Sequence, residues 1–310
     1  MTRVAAIDCG TNSIRLLVAD LDPATGGFRE LDRRMEIVRL GQGVDRTGRL
    51  APEALQRTLA ACRGYAEVIR EHGAQRLRFA ATSATRDAEN RADFVRGVLD
   101  VLGVEPEVLT GEQEAELSFT GATRELAAAP LDRPFLVVDI GGGSTEFVLG
   151  EEHVRASRSV DIGCVRLTER HTLSDPPTPA QVAALRDDIR AALDEAARAV
   201  PLSEAGTLVG LAGTVTTLAG IALELDAYDS AAIHHSRLTA EQVAGIGDRL
   251  LASTHEERAA IPVMHPGRVD VITAGALILR EIVDRTGAPE VVVSEHDILD
   301  GLAWSLTRTS

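Results

Sequence analysis

The chain has 310 residues, of which 45% are hydrophobic and 25% charged, a composition typical of a globular protein of about two domains. Its net charge of −15 disfavours general binding to nucleic acid or to anionic membranes, and an aromatic content of 3% disfavours base stacking as a mode of binding. All 32 basic residues are arginine, which excludes chemistry that needs a lysine amine, such as a Walker-type phosphate loop, a protein-kinase site or a Schiff base.

The cysteines and the start of the sequence disfavour further kinds of structure and location. Cys9, Cys62 and Cys164 are far apart and odd in number, so neither a disulfide framework nor cysteine metal ligation is expected. The apolar run Val4–Ile7 begins almost at once, without a signal peptide, and we expect a cytoplasmic protein. Ala205–Leu223 carries no charge and is long enough to cross a membrane, but glycines and threonines interrupt it, so we interpret it as buried core.

The first half of the chain is predicted to form three strands and then alternating helices and strands. The strands are Val4–Ile7, Ile14–Asp20 and Phe28–Leu40, with a polar turn at Cys9–Ser13. Next in order are a helix over Pro52–His72, a strand over Leu77–Thr82, a helix over Ala88–Leu102, a strand over Glu107–Leu109 and a helix through Arg124. Thr110 caps this last helix, and Gln113 completes a capping box.

The second half is predicted to repeat this order after a linker over Ala127–Arg133. Three strands come first, over Phe135–Ile140, Thr145–Leu149 and His153–Val160. They precede helices over Gly163–His171 and Pro179–Val200, a strand over Thr207–Ala212, a helix over Thr214–Glu224, a loop over Asp226–Arg237, helices over Ala240–Leu251 and Arg268–Thr286, a strand over Val291–Val293 and a helix over Ile298–Leu306. We predict an α/β chain with mixed sheets and domains at 1–126 and 127–310, with the terminal helix 298–310 a candidate to pack back on the first domain.

An internal repeat relates the two halves. Two strand–turn–strand segments align without a gap at a constant offset of 131 residues. The aligned polar positions are Asp8, Gly10 and Ser13 with Asp139, Gly141 and Ser144. Because each segment opens one half of the chain, duplication is the favoured interpretation over chance.

The second segment, Val137–Gly150, has the character of a phosphate site. Three consecutive glycines between two strands indicate a tight turn or the close approach of a ligand, and a turn whose N–H groups point into one concavity binds anions. Asp139 and Glu146 flank the glycines and would repel a bare anion, so a divalent cation between carboxylate and phosphate is expected. A glycine-rich turn without a ligand is the alternative interpretation.

Several stretches resemble the exopolyphosphatase and guanosine pentaphosphate phosphohydrolase family, in its short, two-domain actinobacterial form. They are AAIDCGTNSIRLLVAD at the start, FAATSATRDAEN at 79–90, LTGEQEAELSFTGA at 109–122, VVDIGGGSTEFVLG at 137–150, DIGCVRLTER at 161–170 and LAGTVTTLA at 211–219. The resemblance implies two similar domains of the actin, hsp70 and sugar kinase (ribonuclease H-like) superfamily, with the active-site cleft between them.

The resemblance also implies catalytic residues. It makes Glu114 the base that deprotonates the attacking water, whereas the neighbouring Glu112 and Glu116 are interpreted as solvated acids at a helix start. Arg86 is predicted to clamp phosphate, the alternative being a surface arginine paired with a nearby acid. Asp8 completes the catalytic set.

Metal and phosphate ligands follow from the two hairpins. Asp139 and Glu146, with Asp8 as a third ligand, are predicted to bind Mg²⁺, with Mn²⁺ as the alternative ion. Predicted substrate-binding residues are Thr11, Asn12, Ser13, Gly141, Gly142, Gly143, Ser144, Arg166, Gly213 and Thr214, with Arg268 as a further candidate. The histidines His234, His235 and His265 lack metal-ligand spacing and are interpreted as loop residues.

These predictions converge on a metal-dependent exopolyphosphatase. It would release terminal orthophosphate from inorganic polyphosphate, with guanosine pentaphosphate as a second expected substrate, and it would act as a homodimer without nucleic-acid or membrane partners. One alternative is a kinase or ATPase of the same superfamily, which would need a nucleotide pocket in the second domain. The other is a non-catalytic polyphosphate- or alarmone-binding protein or an actin-like assembler, which a base candidate and a full set of metal candidates disfavour.

Overall fold

Two compact units make up the fold in the computed structural model of the chain, which describes residues 1–126, 129–171 and 174–307. One unit comprises Met1–Gly121 and Ile298–Ser310, and the other comprises Ala122–Asp297. The first two residues of the predicted linker, 127 and 128, and the last three of the predicted terminal segment, 308–310, lie outside the described residues.

The elements up to residue 126 follow the predicted order. The strands are β1 (Thr2–Cys9), β2 (Ser13–Asp22), β3 (Gly27–Ile37), β4 (Arg76–Ala81) and β5 (Glu107–Val108). The helices are α1 (Val44–Thr47), α2 (Pro52–His72), α3 (Ser83–Asp87), α4 (Arg91–Leu102) and α5 (Gly111–Leu126). The predicted capping box is confirmed, because the Thr110 N–H donates to Gln113 Oε1 over 2.9 Å and the Gln113 N–H donates to Thr110 Oγ1 over 3.2 Å.

The elements after residue 126 form the second unit, except the last helix, which belongs to the first unit. The strands are β6 (Phe135–Ile140), β7 (Thr145–Gly150), β8 (Val154–Val160), β9 (Thr207–Leu211), β10 (Arg237–Thr239) and β11 (Glu290–Val293). The helices are α6 (Cys164–His171), α7 (Pro179–Ala199), α8 (Ala212–Ala222), α9 (Ser230–Ile233), α10 (Ala240–Ala252), α11 (His255–Ala259), α12 (Ile272–Thr286) and α13 (Ile298–Ser305).

The differences from prediction lie in short elements. The sequence analysis missed β10 and the helices α1, α3, α9 and α11, which are too short to display a helical hydrophobic period. The helix predicted over Arg268–Thr286 is instead a 3₁₀ turn, Pro266–Arg268, followed by α12. Within the described part of the chain, no helix combines the length and apolarity needed to cross a lipid bilayer. The uncharged run at 205–223 forms buried β9 and α8 instead.

The two sheets have the same topology. Their strand orders are β3-β2-β1-β4-β5 and β8-β7-β6-β9-β11, the second continuing to the antiparallel edge strand β10. In each sheet the first three strands are antiparallel and the next joins in parallel, so both sheets are mixed. The predicted α/β fold, with two similar units of mixed sheets flanked by helices, is confirmed.

The repeat extends to strand register. Asp8 lies opposite Arg15 in the first hairpin, and Asp139 lies opposite Glu146 in the second, at the same offset of 131 residues. The offset holds in the parallel pairs as well, where Asp8 lies beside Ala80 and Asp139 lies beside Leu211. Since a slip of one residue would turn every side chain to the other face, a register kept through two ladders is strong support for duplication.

Alternating apolar side chains cover both faces of the first sheet. Ala5, Ile7 and Cys9 face the core that α2 and α4 complete, whereas Val4 and Ala6 face the core that α13 completes. In the second unit, residues of α7, α8, α10 and α12 pack on one face of the sheet. The side chains that end each strand are thereby fixed in position.

Helix α13 contacts α5 so closely that Gly301→Ala should destabilise the first unit. A Cβ at Gly301 would lie 2.1 Å from the Leu117 carbonyl oxygen, which belongs to helix backbone and cannot move away cheaply. We expect a loss of about 1–3 kcal/mol, measured as a lower midpoint of urea unfolding. The control Gly64→Ala places its methyl group in open space on α2 and should instead gain about 0.5–1 kcal/mol. Equal midpoints for the two variants would contradict this packing.

Candidate active site

Three parallel strands of the first unit end at the same edge of the sheet. Strand β1 leads into the hairpin tip, β4 into α3, and β5 into the first turn of α5. The segments are joined there, because the Thr82 N–H donates to the Cys9 carbonyl over 3.2 Å and the Leu109 N–H donates to the Ala81 carbonyl over 2.9 Å. Asp8, Arg86 and Glu114 are thus presented by consecutive strand ends.

Hydrogen bonds to its carbonyl groups hold the first hairpin tip in place. The Gly41 N–H donates to the Thr11 carbonyl over 2.9 Å, and the N–H groups of Val38 and Arg39 donate to the Asn12 carbonyl over 3.0 and 2.8 Å. The Thr11 hydroxyl is also 2.9 Å from that of Ser83 at the start of α3. The predicted substrate-binding segment from Thr11 is therefore fixed to two neighbouring segments.

Arg86 and Glu114 form an ion pair at this edge. Arg86 Nη1 donates to Glu114 Oε2 over 3.1 Å and to the Leu109 carbonyl over 3.0 Å. The Glu114 side chain is only 10% exposed, and it lies near the start of α5, where the helix dipole favours negative charge. The sequence analysis weighed nearby acids as partners of Arg86, and the structure gives it the predicted base instead.

Asp8 has a partner that the sequence analysis did not name. Arg15, directly opposite on β2, donates from Nη2 and Nε to Asp8 Oδ2 over 2.6 and 3.1 Å. The two positions are cross-strand neighbours, a relation readable from the predicted hairpin once its register is known. Asp8 thus lies at the site as one member of a buried ion pair.

The second hairpin tip is held in the same way as the first. The first turn of α6 supplies the donors, since the Val165 and Arg166 N–H groups donate to the Gly142 carbonyl over 2.9 and 3.0 Å. Arg166 Nε donates to the Gly143 carbonyl over 2.6 Å. The approach is so close that a Cβ at Gly163 would lie 2.4 Å from the Gly142 backbone. Arg166, predicted to bind substrate, therefore supports the glycine turn.

Asp139 and Glu146 lie directly opposite each other across β6 and β7, and both are buried. Ser159, opposite Glu146 on β8, donates from its hydroxyl to Glu146 Oε1 over 2.7 Å. The second hairpin thus presents two carboxylates at directly opposite positions of neighbouring strands. Carboxylate oxygens are the donors that Mg²⁺ prefers, so this pair fits a divalent cation.

Gly213 and Thr214 begin α8 beside β9, but their surroundings differ from a simple phosphate loop. The guanidinium of Arg268 lies against Gly213, where a Cβ would be 2.4 Å from Nη2, and Nη1 donates to Thr217 Oγ1 over 3.1 Å. Thr214 is buried against Gly275 of α12. The structure therefore places Gly213 and Arg268 in contact, whereas Thr214 packs against α12.

The thiols beside the two hairpins are uncharged at neutral pH. Burial, with smaller effects of Cys62 and Asp8, raises the pKa of Cys9 well above its ordinary value. Burial also raises the pKa of Cys164 to about 11, although Arg268 acts in the opposite direction. Neither thiol is therefore suited to act as a nucleophile here.

Comparisons with known proteins place this arrangement in context. The model of the Ppx/GppA phosphatase family matches residues 17–309. The chain is 54% identical over 317 residues to exopolyphosphatase 2 of Mycobacterium tuberculosis, which covers 99% of each chain. Among solved structures, it resembles an exopolyphosphatase-like protein with a TM-score of 0.94 and 42% identity over 98% of each chain. It also resembles the Aquifex aeolicus member of the Ppx/GppA family, with a TM-score of 0.80 and 30% identity over 99% of each chain.

The hydrogen bond from Ser159 should matter for metal binding at the second hairpin. In Ser159→Ala, Glu146 loses a donor that orients its carboxylate, so we expect Mg²⁺ to bind about 10-fold more weakly in titration calorimetry. The control Ser157→Ala lies on the same face of β8 but opposite Val148, and it should bind Mg²⁺ as the wild type does. Equal Mg²⁺ affinities of the wild type and Ser159→Ala would show that Ser159 does not position the ligand.

Proposed function

The chain belongs to the Ppx/GppA phosphatase family, and from this premise we propose that it is an exopolyphosphatase, a hydrolase that releases terminal orthophosphate from inorganic polyphosphate. The structural observation that carries the proposal is the partly buried Arg86–Glu114 pair at the sheet edge that also carries a phosphate-type hairpin. A carboxylate beside a guanidinium supports the assignment of one as a base for water and of the other as a phosphate contact.

Glu114 acts as the general base in this mechanism. It accepts a proton from the water whose oxygen attacks the terminal phosphorus. As that P–O bond forms, the bond from the terminal phosphorus to the bridging oxygen breaks, and this oxygen leaves on the shortened chain. A phosphate is a good leaving group, so no strong general acid is needed.

Arg86 and the hairpins bind and orient the phosphate groups. Arg86 has a planar guanidinium that can donate to Glu114 and to a phosphate oxygen together. The tip carbonyls of both hairpins are hydrogen-bonded within the protein, and the Gly10 and Gly141 N–H groups donate to the Ser13 and Ser144 carbonyls. This favours assigning the N–H groups of 11–13 and 142–144 to phosphate oxygens. Arg268 at the start of α8 is a further candidate for contact with the chain of phosphates.

Asp139 and Glu146 would hold the divalent metal, which we propose to be Mg²⁺, with Mn²⁺ as the alternative. The metal would neutralise charge on the phosphate oxygens when bound. Asp8 remains a predicted third ligand, and metal binding there would compete with its ion pair to Arg15.

The proposal extends to guanosine pentaphosphate as a second substrate, to a cytoplasmic location and to a homodimer. Membership of the Ppx/GppA phosphatase family and the shared phosphoanhydride chemistry support the second substrate. A kinase or ATPase activity is not favoured, because the mycobacterial relative that matches over the full length is named an exopolyphosphatase. A non-catalytic binding protein would have no need of the Arg86–Glu114 pair.

Phosphate release from polyphosphate, guanosine pentaphosphate and ATP tests the proposal. Removing the base in Glu114→Gln should lower kcat by roughly 10²- to 10⁴-fold with little change in fold, because the side chain keeps its size. The control Glu116→Gln changes an exposed acid two positions along the same helix and should keep full activity.

Two outcomes would contradict different parts of this assignment. If ATP is hydrolysed while polyphosphate and guanosine pentaphosphate are inert, the substrate class is wrong. If Glu114→Gln hydrolyses polyphosphate at the wild-type rate, the substrate stands and the base is another residue.

A further inference from the structure

Two histidines and a glutamate meet in the second unit, and none of them is assigned to hydrolysis. His234 Nε2 is 3.0 Å from Glu125 Oε2, and His296 Nδ1 is 3.5 Å from the same oxygen. The three ligand atoms all lie within 4.8 Å of one another. All three residues belong to the second unit. The sequence interpretation of His234 as a loop residue without metal spacing was incomplete, because its partners are distant in sequence.

Three separate segments supply this cluster. Glu125 lies in the last turn of α5, His234 directly follows α9, and His296 follows β11. The loop after α9 is joined to β11, because the His235 N–H donates to the Val293 carbonyl over 2.7 Å. A hydrogen bond over 3.1 Å from the His296 N–H to the Ser294 hydroxyl holds the other loop. The imidazoles are therefore positioned before any ligand arrives.

The backbone at the cluster is strained. His235 has a φ of 61°, a left-handed conformation that is uncommon for residues other than glycine. Its ring stacks on that of His234 with 3.7 Å between the centroids, and the His296 ring lies 4.6 Å from His234. Strain of this kind persists where the surroundings impose it and is concentrated at functional sites.

The spacing of the ligand atoms matches a tetrahedral metal site. Metal–ligand bonds of about 2.0–2.1 Å to nitrogen and oxygen place neighbouring tetrahedral ligands about 3.3 Å apart. The two separations from Glu125 Oε2 fall on either side of that value. The Glu125 side chain is 46% exposed, which leaves a path for an ion and room for water as a fourth ligand.

We propose that Glu125, His234 and His296 form a binding site for a divalent transition metal of the zinc class, separate from the carboxylates assigned to Mg²⁺. Two imidazoles and one carboxylate are a common donor set for zinc and a poor one for Mg²⁺. Bound metal links the end of α5 to the segments that follow α9 and β11. This site shares no residue with the groups assigned to hydrolysis, so the proposal goes beyond the proposed function.

One hydrogen bond has to rearrange when the metal binds. His234 Nδ1 accepts from the Glu295 N–H over 3.1 Å, which puts the ring proton of the neutral imidazole on Nε2, facing Glu125. Metal at Nε2 moves that proton to Nδ1, so the Glu295 N–H must turn away. The affinity is therefore expected to be lower than that of a site whose Nδ1 already donates to an acceptor.

Equilibrium dialysis of chelator-treated protein against Zn²⁺, in excess Mg²⁺, tests the site. The wild type should bind a single zinc ion per chain and should show the visible absorption of tetrahedral cobalt when Co²⁺ replaces zinc. Glu125→Gln and His296→Gln should each bind Zn²⁺ roughly 100-fold more weakly. Zinc should also raise the melting temperature of the wild type but not of these variants.

The controls separate this site from other zinc-binding groups. His153→Gln removes an exposed histidine outside the cluster and should bind zinc as the wild type does. Asp139→Asn should do the same, because it alters only the carboxylates assigned to Mg²⁺. The proposal is overturned if the wild type binds no zinc, if Glu125→Gln and His296→Gln bind it unchanged, or if Asp139→Asn abolishes binding.

Discussion

The hydrogen bonds that hold the carbonyl groups of the two hairpin tips are the constraint on which the rest of the site depends. In each hairpin, the two tip carbonyls accept from a segment that follows later in the chain, residues 38–41 in the first and the start of α6 in the second. A phosphate would be repelled by a carbonyl oxygen and attracted by an N–H group. Because these carbonyls are bonded within the protein, the N–H groups of the tips are the backbone groups better placed to meet a ligand.

The duplicated hairpins have diverged in charge, and that divergence separates their roles. Asp8 and Asp139 occupy equivalent positions, but the residue opposite is Arg15 in one hairpin and Glu146 in the other. The first hairpin pairs its carboxylate with an arginine side chain, whereas the second places two carboxylates at directly opposite positions, a donor pair that suits a divalent cation. A duplicated backbone thus yields one hairpin suited to an ion pair and one suited to a metal.

The fold could be predicted from the sequence to a much greater extent than the contacts within the site. Strand alternation, the capping box at Thr110 and the repeat at Asp139 are local patterns, and each is confirmed in the structure. Which residues lie opposite Asp8 and Glu146 depends on the strand register. The alternation of hydrophobic residues distinguishes a register only from shifts by an odd number of residues, so it does not identify these partners. The contact of Arg86 with Glu114 and the approach of His296 to Glu125 join residues far apart in the chain, so no spacing pattern could reveal them.

The same offset relates α3 to α8. At 131 residues, Arg86 of α3 corresponds to Thr217 of α8. The second unit has no arginine at that position, yet Thr217 accepts a hydrogen bond from Arg268, which belongs to a distant segment. The guanidinium that reaches Thr217 lies against Gly213, where an added Cβ would be 2.4 Å from Nη2. A guanidinium is therefore present where β4 ends in one unit and where β9 ends in the other, supplied in the second case from outside the repeat. The sequence marks Gly213 as a phosphate contact, and in the structure it lies against the guanidinium that Arg268 brings to the start of α8.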